Sequence, residues 1–474
     1  MAKSFFFYDL ETSGLDPRED RIMQFAGQRT DENFQPVGDP YNLLVEMKDD
    51  TLPAPSALMV TGITPQKTLE EGYSEPDFCK ILIDQVFTPD TTVVGFNNIR
   101  FDDEFIRYTL WRNFYDPYEW AYKDGRSRWD LLDVARMTRA LRPEGIVWPV
   151  DSEGRATNRL ELLTEANGID HRNAHDALSD VSALIAVTEL IHNTQPKLFD
   201  YLYQMRDKNA VKRLVNLDDR KPFVYVSGRY DSQFNKATVA VPVAPAPNGN
   251  VMVYDLRYDP SEFLELDEND LAKKIFASHE ERKAEDFVPL PVKVLQYNRC
   301  PAVAPLGVLN EGEGWHLIGI NSDTVERNRA KLFESDDFAR KLEKIFANQR
   351  EFKKSDNPEA QLYDGFIDGR DKLRAESVRQ ATPDDIASLK PNFDDARLKQ
   401  LFTIYRARNF PRAASNDERA SYDQFRHQRL ETQLKSFLPD LERQHHREDL
   451  SDHQKFVLEE LKLWLESLVV INED

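Results

Sequence analysis

The sequence predicts an α/β unit over residues 1–196, a β-rich region over 197–350 and an α-helical region over 354–474. Three observations predict it. An aromatic strand-like run at Phe5 to Tyr8 is followed by further apolar strand runs and by helical periods up to about residue 196. From Phe223 the texture changes to short β-type runs separated by Gly, Pro and Asn turns. Beyond a polar linker, Lys353 to Pro358, apolar residues recur at helical spacing.

Composition narrows the function classes. A chain of 474 residues exceeds one ordinary domain, and 40% hydrophobic with 11% aromatic residues supply a sizeable core. No apolar run reaches the roughly 18 residues of a membrane span, and the start Met-Ala-Lys-Ser has no signal-peptide pattern, so a cytoplasmic protein without membrane association is expected. Cys79 and Cys300 lie outside any C-x-x-C unit, which argues against a disulfide scaffold or a zinc knuckle and fits a reducing compartment. The net charge of −21, from 62 basic and 83 acidic side chains, opposes indiscriminate coating of nucleic acid. A local basic channel or bound divalent cations remain compatible with it.

The first strand ends in Asp9-Leu10-Glu11, and a two-residue spacing on a pleated strand sends both carboxylates to one side. Half-buried together they repel unless a cation neutralises them, and oxygen-only ligation suits Mg²⁺ or Mn²⁺. Strands follow at Arg21 to Thr30 and Tyr41 to Met47. Pro53, Pro55, Thr61-Gly62 and Pro65 then break the chain before a helical stretch at Phe78 to Val86. A buried strand, Thr92 to Phe96, leads to Asp102, which opens a helix with the period Phe105, Tyr108, Thr109, Arg112. Either Asp102 or Asp103 also fits a plain N-cap. Another helix runs from Leu131 to Leu141. His175 and Asp180 are five residues apart and would diverge by about 140° on one helix. His175 is therefore placed in the entering loop and Asp180 on the first turns of a helix reaching Ile191. Downstream, strands are expected at Phe223 to Ser227, Thr238 to Val243, Val251 to Leu256 and Val288 to Tyr297. Helices are expected at Leu271 to Lys283, Thr324 to Phe333 and Phe338 to Phe346. Ser451 and Gln454 form a capping box ahead of an apolar face of Val457, Leu461, Trp464, Leu465 and Leu468.

The series D-x-E at 9–11, F-D at 101–102 and H-x-x-x-x-D at 175–180 resembles the DEDD superfamily of 3′→5′ exonucleases in its histidine-containing branch. The segments 95–104 (GFNNIRFDDE), 112–118 (RNFYDPY), 127–134 (SRWDLLDV), 140–145 (ALRPEG) and 173–177 (NAHDA) look like bacterial exodeoxyribonuclease I. The resemblance implies an RNase H-like exonuclease domain with a mixed sheet, an SH3-like β-rich domain with extra helices, and a helical C-terminal domain that closes a ring-like passage. It implies Mg²⁺-dependent, 3′→5′ degradation of single-stranded DNA to 5′-mononucleotides, serving repair and recombination. Asp9, Glu11 and Asp180 would hold two Mg²⁺ ions, for which Mn²⁺ can substitute, with Asp102 bound directly or through water. His175 would take the proton of the attacking water.

By the same resemblance Glu11 and Arg159 contact the terminal nucleotide. Arg107, Tyr118, Tyr122, Arg128 and Arg136 lie along the strand, joined by Lys208, Lys293, Asn298 and Tyr363. Residues 107–128 support this physically, because they interleave arginines with aromatic rings on which bases stack. The segment 405–411 (YRARNFP) also looks like the family, facing either the phosphate backbone or a neighbouring helix. Residues 304–307 and 310–313 depart from the family pattern. A partner is implied as well: the acidic tail of single-stranded-DNA-binding protein, received by Arg142 and Tyr201. A monomer is expected. Two other readings stay open: an exoribonuclease of the oligoribonuclease type, and a noncatalytic strand-binding protein.

Overall fold

The computed structural model describes residues 4–171, 176–278, 280–284, 286–334, 336–347 and 355–470. The chain divides into two compact units that do not follow sequence order. One comprises Met1–Arg128, His171–Ile185 and Lys353–Asp474; the other comprises Trp129–Asp170 and Ala186–Phe352. Among the described residues no helix is long and apolar enough to cross a membrane.

The first unit is built on strands β1 (Ser4–Thr12), β2 (Ile22–Thr30), β3 (Tyr41–Leu44) and β4 (Thr91–Gly95), with β5 (Ser127–Asp130) at the sheet edge in the order β3-β2-β1-β4-β5. β1 runs antiparallel to β2, with Glu11 opposite Gln24, and parallel to β4, with Phe7 opposite Val94. The sheet is therefore mixed, as the family resemblance implied. Alternation along β1 sends Phe6, Tyr8 and Leu10 into a core with Phe25, Phe78, Phe105 and Trp120. Asp9 and Glu11 take the opposite parity. The β1–β2 register shifts between Glu11 and Thr12, a bulge at the end of the ladder that re-aims the chain beside those acids.

The prolines read as chain breaks have another role. Pro55 and Pro65 each open a short helix, Pro55–Thr61 and Pro65–Glu71, where the missing N–H costs nothing and the fixed φ is already helical. The expected helix at Phe78 to Val86 is an α-helix over Glu75–Ile81 that widens into a π-turn over Leu82–Val86.

From the C-terminal region, helices Gly369–Gln380, Ala396–Asn409, Asn416–His445 and Asp452–Val470 complete this unit. Ser451 and Gln454 cap each other's backbone N–H groups at 3.1 and 3.2 Å, the box the sequence predicts. Leu430, Phe437, Val457, Leu461 and Trp464 pack with Leu58 and Met59 from the N-terminal segment. A buried charge network joins the same two segments. Glu359, fully buried, accepts from Arg21 Nη2 at 2.6 Å and pairs with Arg408, which also reaches buried Asp50. Arg408 lies in the 405–411 segment, so of the two readings of that segment the helix-packing one describes this residue. Buried carboxylates, rather than phosphates, are its counter-charges.

The second unit carries an antiparallel sheet of β6 (Phe223–Val226), β7 (Ala237–Ala246), β8 (Asn250–Asp255), β9 (Val292–Leu295) and β10 (Ala302–Pro305), in the order β10-β6-β7-β8-β9. Its core includes Val211, Phe223, Val251, Val253, Leu295 and Val303. The last two residues of β10 fall where the sequence departs from the family pattern, and its short Ala-Val-Ala-Pro run has too little alternation to announce a strand. The helix expected at Leu271 to Lys283 spans Glu268–Phe276, and only a 3₁₀ turn at Glu281–Lys283 follows.

Candidate active site

Two elements of the first unit bring three carboxylates together. β1 presents Asp9 and Glu11, and the helix Ala177–Thr194 presents Asp180 in its first turn. One ligand oxygen from each lies within 4.8 Å of the others, and this is the one such cluster found among the described residues. Glu11 is buried, while Asp9 and Asp180 are half-buried. Asp102, 5% exposed, stands at the first position of the helix Asp102–Arg112 that follows β4, one residue beyond the N-cap position, which Phe101 holds.

The electrostatics of this cluster are those of a cation site. Burial, followed by the charges of Asp102, Glu11 and Asp180, raises the Asp9 carboxyl well above the usual carboxylate range. Burial, then Asp180, Asp102 and Asp176, pushes Glu11 up to about 8. Four converging acids that disfavour one another's ionisation are relieved by a divalent ion, and their hard oxygen donors suit Mg²⁺ or Mn²⁺. The donor set thus fits the group expected from the sequence.

A layer of polar residues supports the site. Fully buried Asp103 accepts from the Tyr8 hydroxyl at 2.6 Å and from Asn98 Nδ2 at 3.2 Å, and it pairs with Arg128. This network ties β1, the turn after β4 and β5 to the helix that starts at Asp102. The neighbours Asp102 and Asp103 therefore divide their work: Asp102 acts electrostatically on Asp9 and Glu11, and Asp103 anchors the scaffold. Arg128, expected along the strand, is 8% exposed and turns its charge to Asp103. The deep carboxylate is the physical reason for that inward orientation.

His175 lies outside the described residues. His171, to which the sequence assigns no role, has its Nε2 hydrogen-bonded to Asp180 Oδ1 and is 4% exposed at its side chain. Sequence reasoning fixed on the spacing of one histidine and passed over the other. The run 171–180 (HRNAHDALSD) offers two histidines ahead of two acids, Asp176 and Asp180, and nothing in its spacing singles out the pairing of His171 with Asp180.

Three of the expected strand contacts meet within this unit. Arg107 Nη1 donates to Glu104 at 2.7 Å and to the Tyr363 hydroxyl at 3.4 Å, and its guanidinium lies 5.6 Å from the Tyr118 ring centroid. Tyr363 donates to Glu104 at 2.6 Å and leaves about half its surface exposed, and Tyr122 leaves about two thirds. In the second unit Arg159 is exposed and 3.9 Å from Glu161, and Lys208 and Asn298 are exposed. Arg136 and Lys293 both approach the Ser227-Gly228 turn. Arg142 Nη2 donates to Glu311 at 2.8 Å, and burial pushes the half-buried Tyr201 hydroxyl up to about 12.

Three family models match consecutive segments: an exonuclease domain over 6–188, the exonuclease I SH3-like domain over 206–348 and the exonuclease I C-terminal domain over 356–468. Exodeoxyribonuclease I of Haemophilus influenzae is 40% identical over 442 residues, covering 93% of each chain. Exodeoxyribonuclease I of Escherichia coli K12 is 40% identical over 410 residues, covering 86% of each. Escherichia coli exonuclease I solved with a dA16 oligonucleotide superimposes with a TM-score of 0.93 at 37% identity, over 98% of this chain and 100% of that one. The zinc-bound form of its single-stranded DNA complex gives 0.94 at 37%, over 99% and 100%. A moderately thermophilic exonuclease I from Methylocaldum szegediense gives 0.93 at 38%, also over 99% and 100%. Sequence identity along nearly the full length, the same order of domains and an acidic cluster of the right chemistry place this chain in the exodeoxyribonuclease I family of nuclease hydrolases.

Proposed function

We propose that the chain is a single-strand-specific 3′→5′ deoxyribonuclease that releases 5′-mononucleotides by two-metal-ion hydrolysis and serves DNA repair and recombination as a cytoplasmic monomer. The observation that carries this reading is the convergence of Asp9, Glu11 and Asp180 oxygens within 4.8 Å at one end of the mixed sheet. The relatives solved with single-stranded oligonucleotides support the choice of substrate. Mg²⁺ bound there, or Mn²⁺ in its place, supplies Lewis-acid polarisation of the scissile phosphate and activation of a water nucleophile. Asp9, Glu11 and Asp180 hold the metal, with Asp102 beside them directly or through water. His171 orients the Asp180 carboxylate through its Nε2 contact. His175 accepts the proton of the attacking water.

Glu11 and Arg159 bind the terminal nucleotide in this reading. Arg107, Tyr118, Tyr122 and Tyr363 supply positive charge and stacking surfaces to the strand, and Arg136, Lys208, Lys293 and Asn298 extend the path. Arg128 belongs to the same strand path and also holds Asp103. The reading keeps consecutive domains over 1–196, 197–350 and 354–474. Arg142 and Tyr201 receive the acidic tail of single-stranded-DNA-binding protein, the tail carboxylates displacing Glu311 from the Arg142 guanidinium.

Digestion of matched DNA and RNA oligomers, labelled at the 3′ or the 5′ end, tests the proposal. Loss of the 3′ label first, Mg²⁺ dependence, 5′-mononucleotide products and abolition by Asp9→Ala are expected. Preference for RNA would favour the oligoribonuclease-type reading. Binding of single strands with no more degradation than Asp9→Ala would leave a noncatalytic strand-binding protein.

A further inference from the structure

A second concentration of charge lies in the other unit, at the turn end of the β6–β7 hairpin. Ser227 and Gly228 follow β6, and Lys236 precedes β7. The Ser227 N–H donates to the Lys236 carbonyl at 3.0 Å, which closes the hairpin and sets Lys236 beside Gly228. Arg136, from the helix Leu131–Leu141, lays its guanidinium against Gly228. A Cβ at that position would stand 3.0 to 3.2 Å from its Nη2, Nη1 and Cζ atoms. Lys293, on β9, donates to Ser227 Oγ, and its ammonium stands 4.6 and 5.1 Å from the Tyr225 and Tyr230 ring centroids.

Three cations thus surround one turn in a chain whose net charge is −21. Around Arg136 and Lys236 the counter-charge is thin. Arg136 bonds Asp133 at 2.7 Å, and its Nε is buried without a hydrogen-bond partner. Among the described residues no carboxylate lies at ion-pair distance from the Lys236 ammonium. Half-burial, then the Arg136 charge, lowers the Lys236 ammonium below its usual range, with Asp231 acting in the opposite direction. Lys236 also holds φ at 59°, the left-handed region that glycine and asparagine occupy most easily. Asn235 shares that region at 52°, so the tight turn itself accounts for the backbone, and the pairing of two cations is the feature that calls for an anion.

We propose that Lys236 and Arg136 form a clamp for one phosphodiester of a single-stranded polynucleotide, which makes Lys236 a substrate-binding residue. The inference rests on the nuclease reading for the identity of the strand. A planar guanidinium beside an ammonium matches the two non-bridging oxygens of a phosphodiester. The bare Gly228 leaves the guanidinium room to lie flat against the turn. Tyr225 and Tyr230 hold Lys293 at the rim, where it adds to the same field.

The test is binding of a fluorescent single-stranded oligothymidylate to the full chain, in chelator, over a series of salt concentrations. Each phosphate contact on a single strand contributes about 0.7 to the slope of log K against log salt. Lys236→Asn, a residue suited to that φ, is expected to flatten the slope by about 0.7 and to weaken binding about fivefold at 0.1 M salt. Lys236→Arg should restore the slope. Lys221→Gln, an exposed position paired with Asp219, should leave it unchanged. A Lys236→Asn protein with the wild-type slope and an unchanged melting midpoint overturns the clamp. So does a variant that loses affinity for an acidic peptide while its strand binding stays intact. Because binding is read without metal, wild-type protein that binds strands but fails to cut them defeats the nuclease reading and leaves the clamp to its own result.

Discussion

Replacing Glu11 with glutamine should stabilise the metal-free protein while abolishing its activity. Glu11 is 8% exposed, and its carboxyl is pushed up to about 8 by burial and by Asp180, Asp102 and Asp176. In the unfolded chain the same group titrates near 4.5. Between these values the folded protein keeps a proton that the unfolded chain has released, so rising pH favours unfolding. At pH 7 this costs about 3 kcal/mol, and the loss is complete only above the folded value. Glutamine has the same shape and no charge to suppress. In chelator at pH 7, Glu11→Gln should therefore melt on the order of 6–12 °C above wild type, and the difference should shrink towards zero near pH 4.5. Added Mg²⁺ should raise the wild-type midpoint and narrow the gap, because the metal stabilises the ionised cluster. Thermal melts of both proteins from pH 4.5 to 8.5, with chelator and with Mg²⁺, measure this directly. A Glu11→Gln protein no more stable than wild type across that range would refute the argument that the carboxylates oppose one another.

Three further outcomes follow from the geometry. Glu359→Ala strands the buried guanidiniums of Arg21 and Arg408, and urea denaturation should show a loss of about 3–5 kcal/mol; a loss below about 1 kcal/mol would mean that the network is solvated. Tyr8→Phe removes the hydroxyl that donates to Asp103, and should cost about 1–2 kcal/mol of stability together with a fall in kcat that substrate concentration does not rescue. Arg142→Ala should weaken binding of an acidic tail peptide, measured by fluorescence anisotropy, whereas Glu311→Gln should strengthen it by removing the competing carboxylate; unchanged affinity in both would move the partner site elsewhere.

The sequence revealed local features that a single element decides. The parity of Asp9 and Glu11 on β1, the helix Leu131–Leu141 and the helix opening at Asp102 are all set by neighbours a few residues away. The alternation of Phe6, Tyr8 and Leu10 likewise identified one buried face. Features set by distant partners were not legible. Pro55 and Pro65 look like breaks until the short helices they begin are seen to pack against the C-terminal helices. The sequence left Arg408 between packing and phosphate contact, and only distant Asp50 and Glu359 decide for packing; Arg128 likewise gains a buried partner in Asp103 that no nearby residue announces. His171 was invisible as a support because only the folded chain brings its ring to Asp180. Lys236 carried no motif at all; its meaning comes from the approach of Arg136 to the same turn.

Anomalous diffraction from crystals soaked in manganese tests the central claim most directly. The account predicts density enclosed by Asp9, Glu11 and Asp180, with carboxylate oxygens at about 2.0–2.3 Å. Empty density among those three side chains, at a manganese concentration that supports strand degradation in solution, would contradict it.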